Sequence, residues 1–501
     1  MPVLRRVVIA LLSGAVLAAA FEPLTLPWVI PFVVAARLLC LRGLSARAAL
    51  APGAAFGAAF AGLHLWWLQE SIGTGAWIGL AAAVALALTV LGAVDAVLLR
   101  LRAWPLWTAL SWIALEWVRG TFPFGGMPWG RLSYAVADTP IAPALPYLGT
   151  SGVSLVLALS GALLAWLVVD TAARRRAAAA IVLLGAAVSL PLVRPWHGQA
   201  AGHLQVAAVQ GNVPGDGDVL ANHRAVTADH VAMTERLAHE VEAGSQPRPD
   251  LVLWPENSTA TDPITDTKTN EGIWEAVHAI GVPILVGGLP NAPDDHHVLN
   301  QGIVWDPVTG PGDRYTKHNP VPFGEYLPLR GLLGDHNFEG LSQLSYDMVA
   351  GTRQTPLRVD GVPVADAICF DIAFDGVVDP QVRHGAQVLT VQTSNASFIG
   401  TDQVAQQFAI TRVQAMAAGR YAVVASLNGL SGVIAPDGRV VATAPIRTAA
   451  VLNHEVELIR GTTPAMWLGS TPGQVAATLI LVRLGALGVI GWRRRKTQDE
   501  Y

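Results

Sequence analysis

The stretch VADAICFDIAF, residues 364–374, sets the reading of this chain. An apolar run rises to Cys369 and breaks off there, and an acid, Asp371, follows two residues later. Continuous Val/Ile/Leu/Ala runs of this kind are strands buried on both faces. Other runs share the form. HLQVAAVQGN (203–212) ends at Asn212, DLVLWPEN (250–257) reaches Glu256, VPILVGG (282–288) ends in a glycine pair, and AQVLTVQTSN (386–395) ends at Asn395. Helical patterns at about 223–243, 271–279 and 403–418 lie between them. Strands alternating with helices make an α/β layered domain, here residues 202–460, long enough for one sizeable core. No fixed-period repeat is visible.

Ligands bind at the strand-end edge of such sheets, and Glu256, Cys369 and Asn395 all fall there. A lone cysteine at a strand end is by default a small buried hydrophobe, and Glu256 alone could cap a following helix. Together they allow more. A carboxylate can take a thiol proton, and an ammonium can hold the oxyanion formed when a thiolate attacks a carbonyl. The domain has only two lysines, Lys268 and Lys317, and Lys317 stands in the pointed context YTKHNPVPFGEYLPL (315–329). DDHH at 294–297 lacks zinc-site spacing and reads as a solvated loop. There is no GxSxG, phosphate loop or dinucleotide fingerprint.

The rest of the chain is of another kind. Of its 501 residues 52% are hydrophobic and only 14% charged, and its mean hydropathy is +0.42; a soluble chain carries about 25% charge. A net charge of −4 argues against a nucleic-acid partner. Two cysteines, Cys40 and Cys369, are too few for a disulfide framework and read as free thiols. Apolar segments at about 4–21, 27–41, 50–68, 74–98, 104–118, 149–169, 177–193 and 473–492 are candidate spans. AVLAAAF (15–21) could end a signal peptide, and Arg5 and Arg6 suit an uncleaved anchor equally well.

With the N-terminus inside, the inside loops carry Arg5/Arg6, Arg42/Arg47, Arg100/Arg102, Arg174–Arg176 and Arg493–Lys496. The short outside loops FEPLTLP and QESIGTG carry no Lys or Arg; the longer 119–148 loop carries Arg119 and Arg131. That asymmetry predicts an even number of spans, eight, with both termini cytoplasmic and the 195–470 region outside. Trp66, Trp67, Trp117, Trp129 and Trp196 near span ends read as interfacial anchors. His64, Asp95 and Glu116 are polar groups in or near spans, with Glu116 and Arg119 spaced to pair at i,i+3.

WPEN, YTKHNPVPFGEYLPL and ICFDIAF resemble the Glu–Lys–Cys triad of the nitrilase superfamily. EWVRGTFPFGGMPWGRLSYA (116–135) and VQGNVP (209–214) narrow the resemblance to the apolipoprotein N-acyltransferase family, over nearly the whole chain. The resemblance implies an eight-span α-helical membrane bundle carrying an extramembrane nitrilase-like αββα sandwich. It divides the chain into a seven-span domain (1–197), a catalytic domain (202–460), and a last span with a basic cytoplasmic tail (470–501). It implies a multi-pass protein of the cytoplasmic (inner) membrane with the catalytic domain on the extracytoplasmic face, using no cofactor and no metal. The donor would be a phospholipid of the bilayer and the acceptor the α-amino group of a diacylglyceryl-modified apolipoprotein. By the same resemblance Cys369 carries the acyl group as a thioester, Glu256 is the base, and Lys317 holds the oxyanion with the Phe370 backbone N–H. Glu325 orients the lysine.

The sequence departs from the family pattern in three places. Asp371 stands where glutamate is common, Phe370 where tyrosine is frequent, and VPGDGDVLANH (213–223) lacks a tryptophan. The apolar side chains of 323–344 (Phe323, Leu327, Leu329, Leu332, Leu333, Phe338, Leu341, Leu344) suit contact with lipid. A membrane-tethered amidase acting on a small soluble amide is the alternative that the same triad would serve.

Overall fold

The computed structural model describes residues 2–215, 218–294, 296–328, 330 and 346–499. The N-terminal part is helical: α1 (Val3–Ala18), α2 (Ile30–Leu41), α3 (Leu50–His64), α4 (Trp66–Ser71), α5 (Thr74–Leu98), α6 (Trp104–Arg119), α7 (Leu145–Val169) and α8 (Arg174–Val193). A further helix, Thr471–Asp499, follows the sandwich and packs on α6. Each expected apolar segment forms a helix. Four are long and apolar enough to cross a membrane by themselves: Thr74–Leu98, Ala142–Val169, Arg174–Val193 and Thr471–Ile490. Side chains such as Val182, Leu183, Leu481 and Val482 are two-thirds exposed on these helices, as a lipid-facing surface requires.

Two polar expectations in the bundle resolve differently. Asp95 is buried and takes bonds from Arg37 at 2.7 Å and Ser111 at 2.5 Å, tying α5 to α2 and α6. Glu116 and Arg119 make no ion pair. Glu116 Oε1 accepts from Trp112 Nε1 (3.0 Å) and the Leu132 N–H (2.9 Å), while Arg119 donates to the Met127 and Trp129 carbonyls. The loop after α6 folds back over the helix end and outcompetes the i,i+3 pair. The same fold-back buries Trp129, and Trp67 is buried beside it, so neither is an interfacial anchor.

The second part is a two-sheet sandwich. In the first sheet β1 (Gln199–Gln210), β2 (Leu251–Leu253) and β3 (Ile284–Gly288) run parallel and adjacent, in that order. Its antiparallel flanks are β5 (Gln301–Asp306), β6 (Gly310–Thr316) and β14 (Ala450–Arg460). In the second, β9 (Val362–Ile368), β10 (Val388–Thr393) and β11 (Ala422–Ser426) run parallel. They are flanked by β8 (Leu357–Val359), β12 (Gly432–Ile434) and β13 (Val440–Thr443). β4 (His297–Val298) and β7 (Asp347–Met348) pair separately.

Helices α9 (His223–Glu242) and α10 (Thr267–Ile280) cover the first sheet, where Ile273 and Val277 pack with Val252, Trp254 and Ile303. Helices Asp375–Arg383 and Asp402–Ala418 cover the second. Leu253, Leu285 and Ile368 are among the side chains filling the space between the sheets. Burying such a side chain contributes about 1.5–3 kcal/mol. The layers are therefore α–β–β–α. Five of the six parallel strands (β1, β2, β3, β9 and β10) coincide with the five apolar runs expected from the sequence; β11 and the antiparallel flanks do not.

Candidate active site

The three parallel-strand ends that carry Glu256, Cys369 and Ser394 meet at one edge of the sandwich. β2 stops at Leu253, and Trp254 continues the pairing by donating its N–H to Leu285 O at 2.9 Å. The glycine pair of β3 has a specific use here. A methyl group on Gly287 would stand 2.1 Å from the Pro255 carbonyl oxygen and 2.8 Å from Glu256 Cα, so only glycine lets the Glu256 turn lie on β3.

Glu256 is 3% exposed and fully engaged. Its Oε1 accepts from Lys317 Nζ at 2.9 Å and Asn300 Nδ2 at 2.8 Å, and its Oε2 from the Ser394 N–H at 3.0 Å. Lys317 follows the last residue of β6 and is 1% exposed. Its own N–H donates to Asn300 O and its carbonyl accepts from the Gly351 N–H. The ammonium sits between two acids, with Glu325 Oε1 at 2.6 Å on the far side. Burial by itself lowers the pKa of this lysine. The flanking Glu256 and Glu325 charges outweigh it and hold the ammonium well above its ordinary range. Burial raises the Glu325 carboxyl, with Lys317 pulling it back. Its Oε2 is held by the Val321 N–H at 2.8 Å.

Cys369 is the first residue after β9 and opens a 3-10 turn, Cys369–Ala373. Its φ of 54° lies in the left-handed region, where a residue with a Cβ is strained. The sharp turn stops the strand and sets the thiol at the sheet edge. Burial pushes the thiol up to about 12, the Glu256 charge adding to this and the Lys317 charge opposing it. The group therefore rests as a neutral thiol, beside a carboxylate and an ammonium.

Asp371, the departure from the family pattern, is completely buried and points at the lysine loop. It accepts from Tyr315 Oη (2.8 Å), the His318 N–H (3.1 Å), the Asn319 N–H (2.8 Å) and Asn319 Nδ2 (3.0 Å). It thereby ties the cysteine turn to the residues on either side of Lys317. Hydrogen bonds to a charged acceptor contribute about 1.5–3 kcal/mol each. Asp371→Ala is expected to lower unfolding stability by at least about 3 kcal/mol, read from denaturant unfolding of the detergent-purified chain.

Asn395 is placed elsewhere than its strand-end position suggests. Its side chain joins a buried amide cluster, donating to Gln403 Oε1 (3.1 Å) and Gln407 Oε1 (2.8 Å) and accepting from Ser426 Oγ (3.2 Å). Its neighbour Ser394, through the backbone N–H, is the group that reaches Glu256. Asn300 was not indicated by any sequence pattern, yet it donates to both Glu256 and Glu325, the latter at 3.4 Å. Asp294 and His297 of the DDHH run pair with each other at 2.6 Å, half-exposed. Among the described residues no cluster of His, Cys, Asp or Glu could hold a metal ion.

The 119–148 loop supplies the floor of the site. Trp129 stacks on Phe370 with ring centres 6.2 Å apart, and Phe370 meets Phe374 edge-on at 5.0 Å. Arg131 Nη1 pairs with Asp375 at 2.6 Å and Thr150 Oγ1 joins them; Tyr134 Oη donates to Ala373 O at 2.6 Å. A cavity of about 280 Å³ opens beside the cysteine turn, bounded by Phe124–Gly126, His318, Asn319, Tyr326, Phe370 and Phe374. Tyr326 Oη donates to Phe124 O, and Phe323 meets Phe124 edge-on, both rings partly exposed. Of the apolar stretch 323–344, Phe323 and Leu327 fall within the described residues. Leu329, Leu332, Leu333, Phe338, Leu341 and Leu344 lie outside them.

Comparison with known proteins agrees with this two-part build. Residues 13–163 match the apolipoprotein N-acyltransferase N-terminal domain, and residues 205–462 match the carbon-nitrogen hydrolase family. The chain is 38% identical to the apolipoprotein N-acyltransferase of Mycolicibacterium smegmatis, over 87% of this chain and 76% of that one. It is 30% identical to that of Pseudomonas putida over 94% and 95%, and 27% identical to that of Vibrio vulnificus over 99% and 98%. A nitrilase-type sandwich joined to apolar helices, with matches of this extent in both parts, means that the chain belongs to the apolipoprotein N-acyltransferase family.

Proposed function

We propose that this protein moves a fatty acyl chain from the sn-1 position of a phospholipid to the α-amino group of a diacylglyceryl-cysteine at the N-terminus of a lipoprotein. The observation that carries the reading is the shared ammonium. Lys317 lies 2.9 Å from Glu256 and 2.6 Å from Glu325, and the Cys369 thiol feels the charge of all three.

In the first half-reaction Glu256 takes the thiol proton as sulfur attacks the donor ester. Because the thiol rests neutral, this transfer accompanies attack. The Lys317 ammonium and the Phe370 N–H hold the developing oxyanion. Collapse breaks the ester C–O bond, the lyso-phospholipid leaves with the proton from Glu256, and the acyl group stays on Cys369 as a thioester. In the second half the lipoprotein amine gives a proton to Glu256 and attacks the thioester. The amide leaves and the thiol is restored, a ping-pong cycle. Glu325 and Asn300 hold Lys317 and Glu256 in line, and Asp371 fixes the lysine loop to the cysteine turn.

The cavity flanked by Phe124, Phe370 and Phe374 offers an apolar wall for the acyl chain, and the partly exposed ring of Phe323 packs on that of Phe124. Eight spans, with the sandwich on the extracytoplasmic face of the inner membrane, accord with the arginine pattern and the helices present. The test is a half-reaction. The full chain in detergent, given phospholipid and no acceptor, should accumulate one acyl group on Cys369. Mass spectrometry should locate it, and hydroxylamine should release it. Hydrolysis of a small amide with no acyl group on Cys369 would instead select a tethered amidase.

A further inference from the structure

Behind the site, between the two sheets, two buried oxygens face the same small space with no donor between them. Asp366 lies on β9 three residues before Cys369, and Gln392 on β10 two residues before Ser394; neither is exposed at all. Asp366 Oδ1 accepts from Thr390 Oγ1 at 2.8 Å, and its Oδ2 has no partner. Gln392 Nε2 donates to Trp254 O at 2.6 Å and toward Leu285 O at 3.4 Å, leaving its Oε1 without a partner. A methyl group on Gly302 would stand 2.4 Å from Gln392 Oε1 and 2.5 Å from Asp366 Oδ2, so both oxygens border one point.

Unsatisfied buried acceptors are costly and rare. Turning the Gln392 amide over does not help, because its oxygen would then face the Trp254 carbonyl at 2.6 Å. Among the protein's own groups facing this space, the remaining source of a donor is the acid. We infer that Asp366 is protonated in the working enzyme, donates its hydroxyl to Gln392 Oε1, and so acts as a positioning residue for Glu256.

Both ends of the Glu256 seat run through Gln392. Its amide holds the Trp254 carbonyl, two residues before Glu256, and its strand leads into Ser394, whose N–H holds Glu256 Oε2. Ionising Asp366 turns the hydrogen bond into repulsion between two acceptors and pushes Gln392 off Trp254. The surroundings favour the neutral acid. Burial lifts Asp366 to about 7, with the Thr390 hydroxyl opposing and the Asp371 charge adding. The Tyr315 hydroxyl is engaged by Asp371. From the covering helix Gln381 bonds only the Asp366 main chain, and β5 presents the bare Gly302. The folded state thus holds a proton that the unfolded chain gives up. Stability falls as pH rises from the ordinary 3.8 through about 7.

The role rests on Glu256 being the base, so the experiment has one arm independent of activity. Infrared spectra of the full chain at about pH 5 should contain a protonated-carboxyl C=O band that Asp366→Asn lacks. Identical spectra, as a water bridging two ionised-state acceptors would give, overturn the inference. In the second arm the rate of Cys369 acylation is followed against pH. The wild type should fall about fivefold from pH 7 to pH 8, in rate and not in donor KM. Asp366→Asn, whose amide can donate to Gln392 at any pH, should change by less than about twofold. Thr390→Val, should the Asn variant not fold, moves the fall to higher pH. An unchanged alkaline fall in both variants overturns the inference. Absence of acyl-enzyme at every pH would overturn the acyltransfer reading while leaving the infrared arm to decide on the proton.

Discussion

Cys369→Ala is expected to reduce acyl transfer by at least about 10⁴-fold, the scale on which removing a covalent nucleophile acts, and to leave the fold intact. The side chain lies at the sheet edge and is only partly buried, so alanine opens no deep cavity. The φ of 54° at this position is no worse for alanine than for cysteine. The measurement is lipoprotein N-acylation by the purified variant, with circular dichroism to check folding. A variant that still N-acylates at the wild-type rate would remove the thioester from the mechanism. Cys40, the other thiol, is buried on α2 and gives no substitute nucleophile.

Lys317→Met should be worse for the protein as a whole. Methionine keeps the length of the side chain and removes its charge. Glu256 and Glu325 are then left buried around one point with no cation, and removing one member of a buried ionic group costs about 3–5 kcal/mol. Loss of the oxyanion partner should lower the acylation rate by about 10²–10³-fold. The two effects separate in a double variant. Adding Glu325→Gln removes the surplus negative charge and should recover most of the stability without recovering the rate. Denaturant midpoints and single-turnover acylation of the two variants read these independently. Recovery of the rate by the second substitution would mean that Lys317 acts only as a counter-ion.

The parts of this site that were legible in the sequence owe it to burial. Parallel strands covered on both faces need uninterrupted apolar runs, so β1, β2, β3, β9 and β10 stand out, and Glu256 and Cys369 are the polar residues that end two of them. Antiparallel flanks such as β6 (GPGDRYT) are half-exposed and mixed in character, with no comparable pattern. Strand-end position also says nothing about which way a side chain turns. Asn395 and Ser394 are adjacent, yet Asn395 faces the glutamines of the covering helix and Ser394 turns its N–H to Glu256. Asn300 and the partners of Asp371 depend on contacts 44 to 56 residues apart in the chain, beyond any local spacing rule. The Glu116–Arg119 spacing misleads for the same reason, since the competing partners come from a loop that folds back.

The cysteine turn is fastened from below as well as from behind, through Arg131–Asp375, Tyr134–Ala373 and Trp129–Phe370. Its fasteners lie in the loop between α6 and α7, and Thr150 near the start of α7 joins them. The position of the thiol is therefore set by that loop and the start of α7 as well as by β9. One added helical turn in α7 would lift its end by about 5.4 Å. Under the proposed mechanism, the length of α7 becomes a determinant of which ester bond the sulfur can touch.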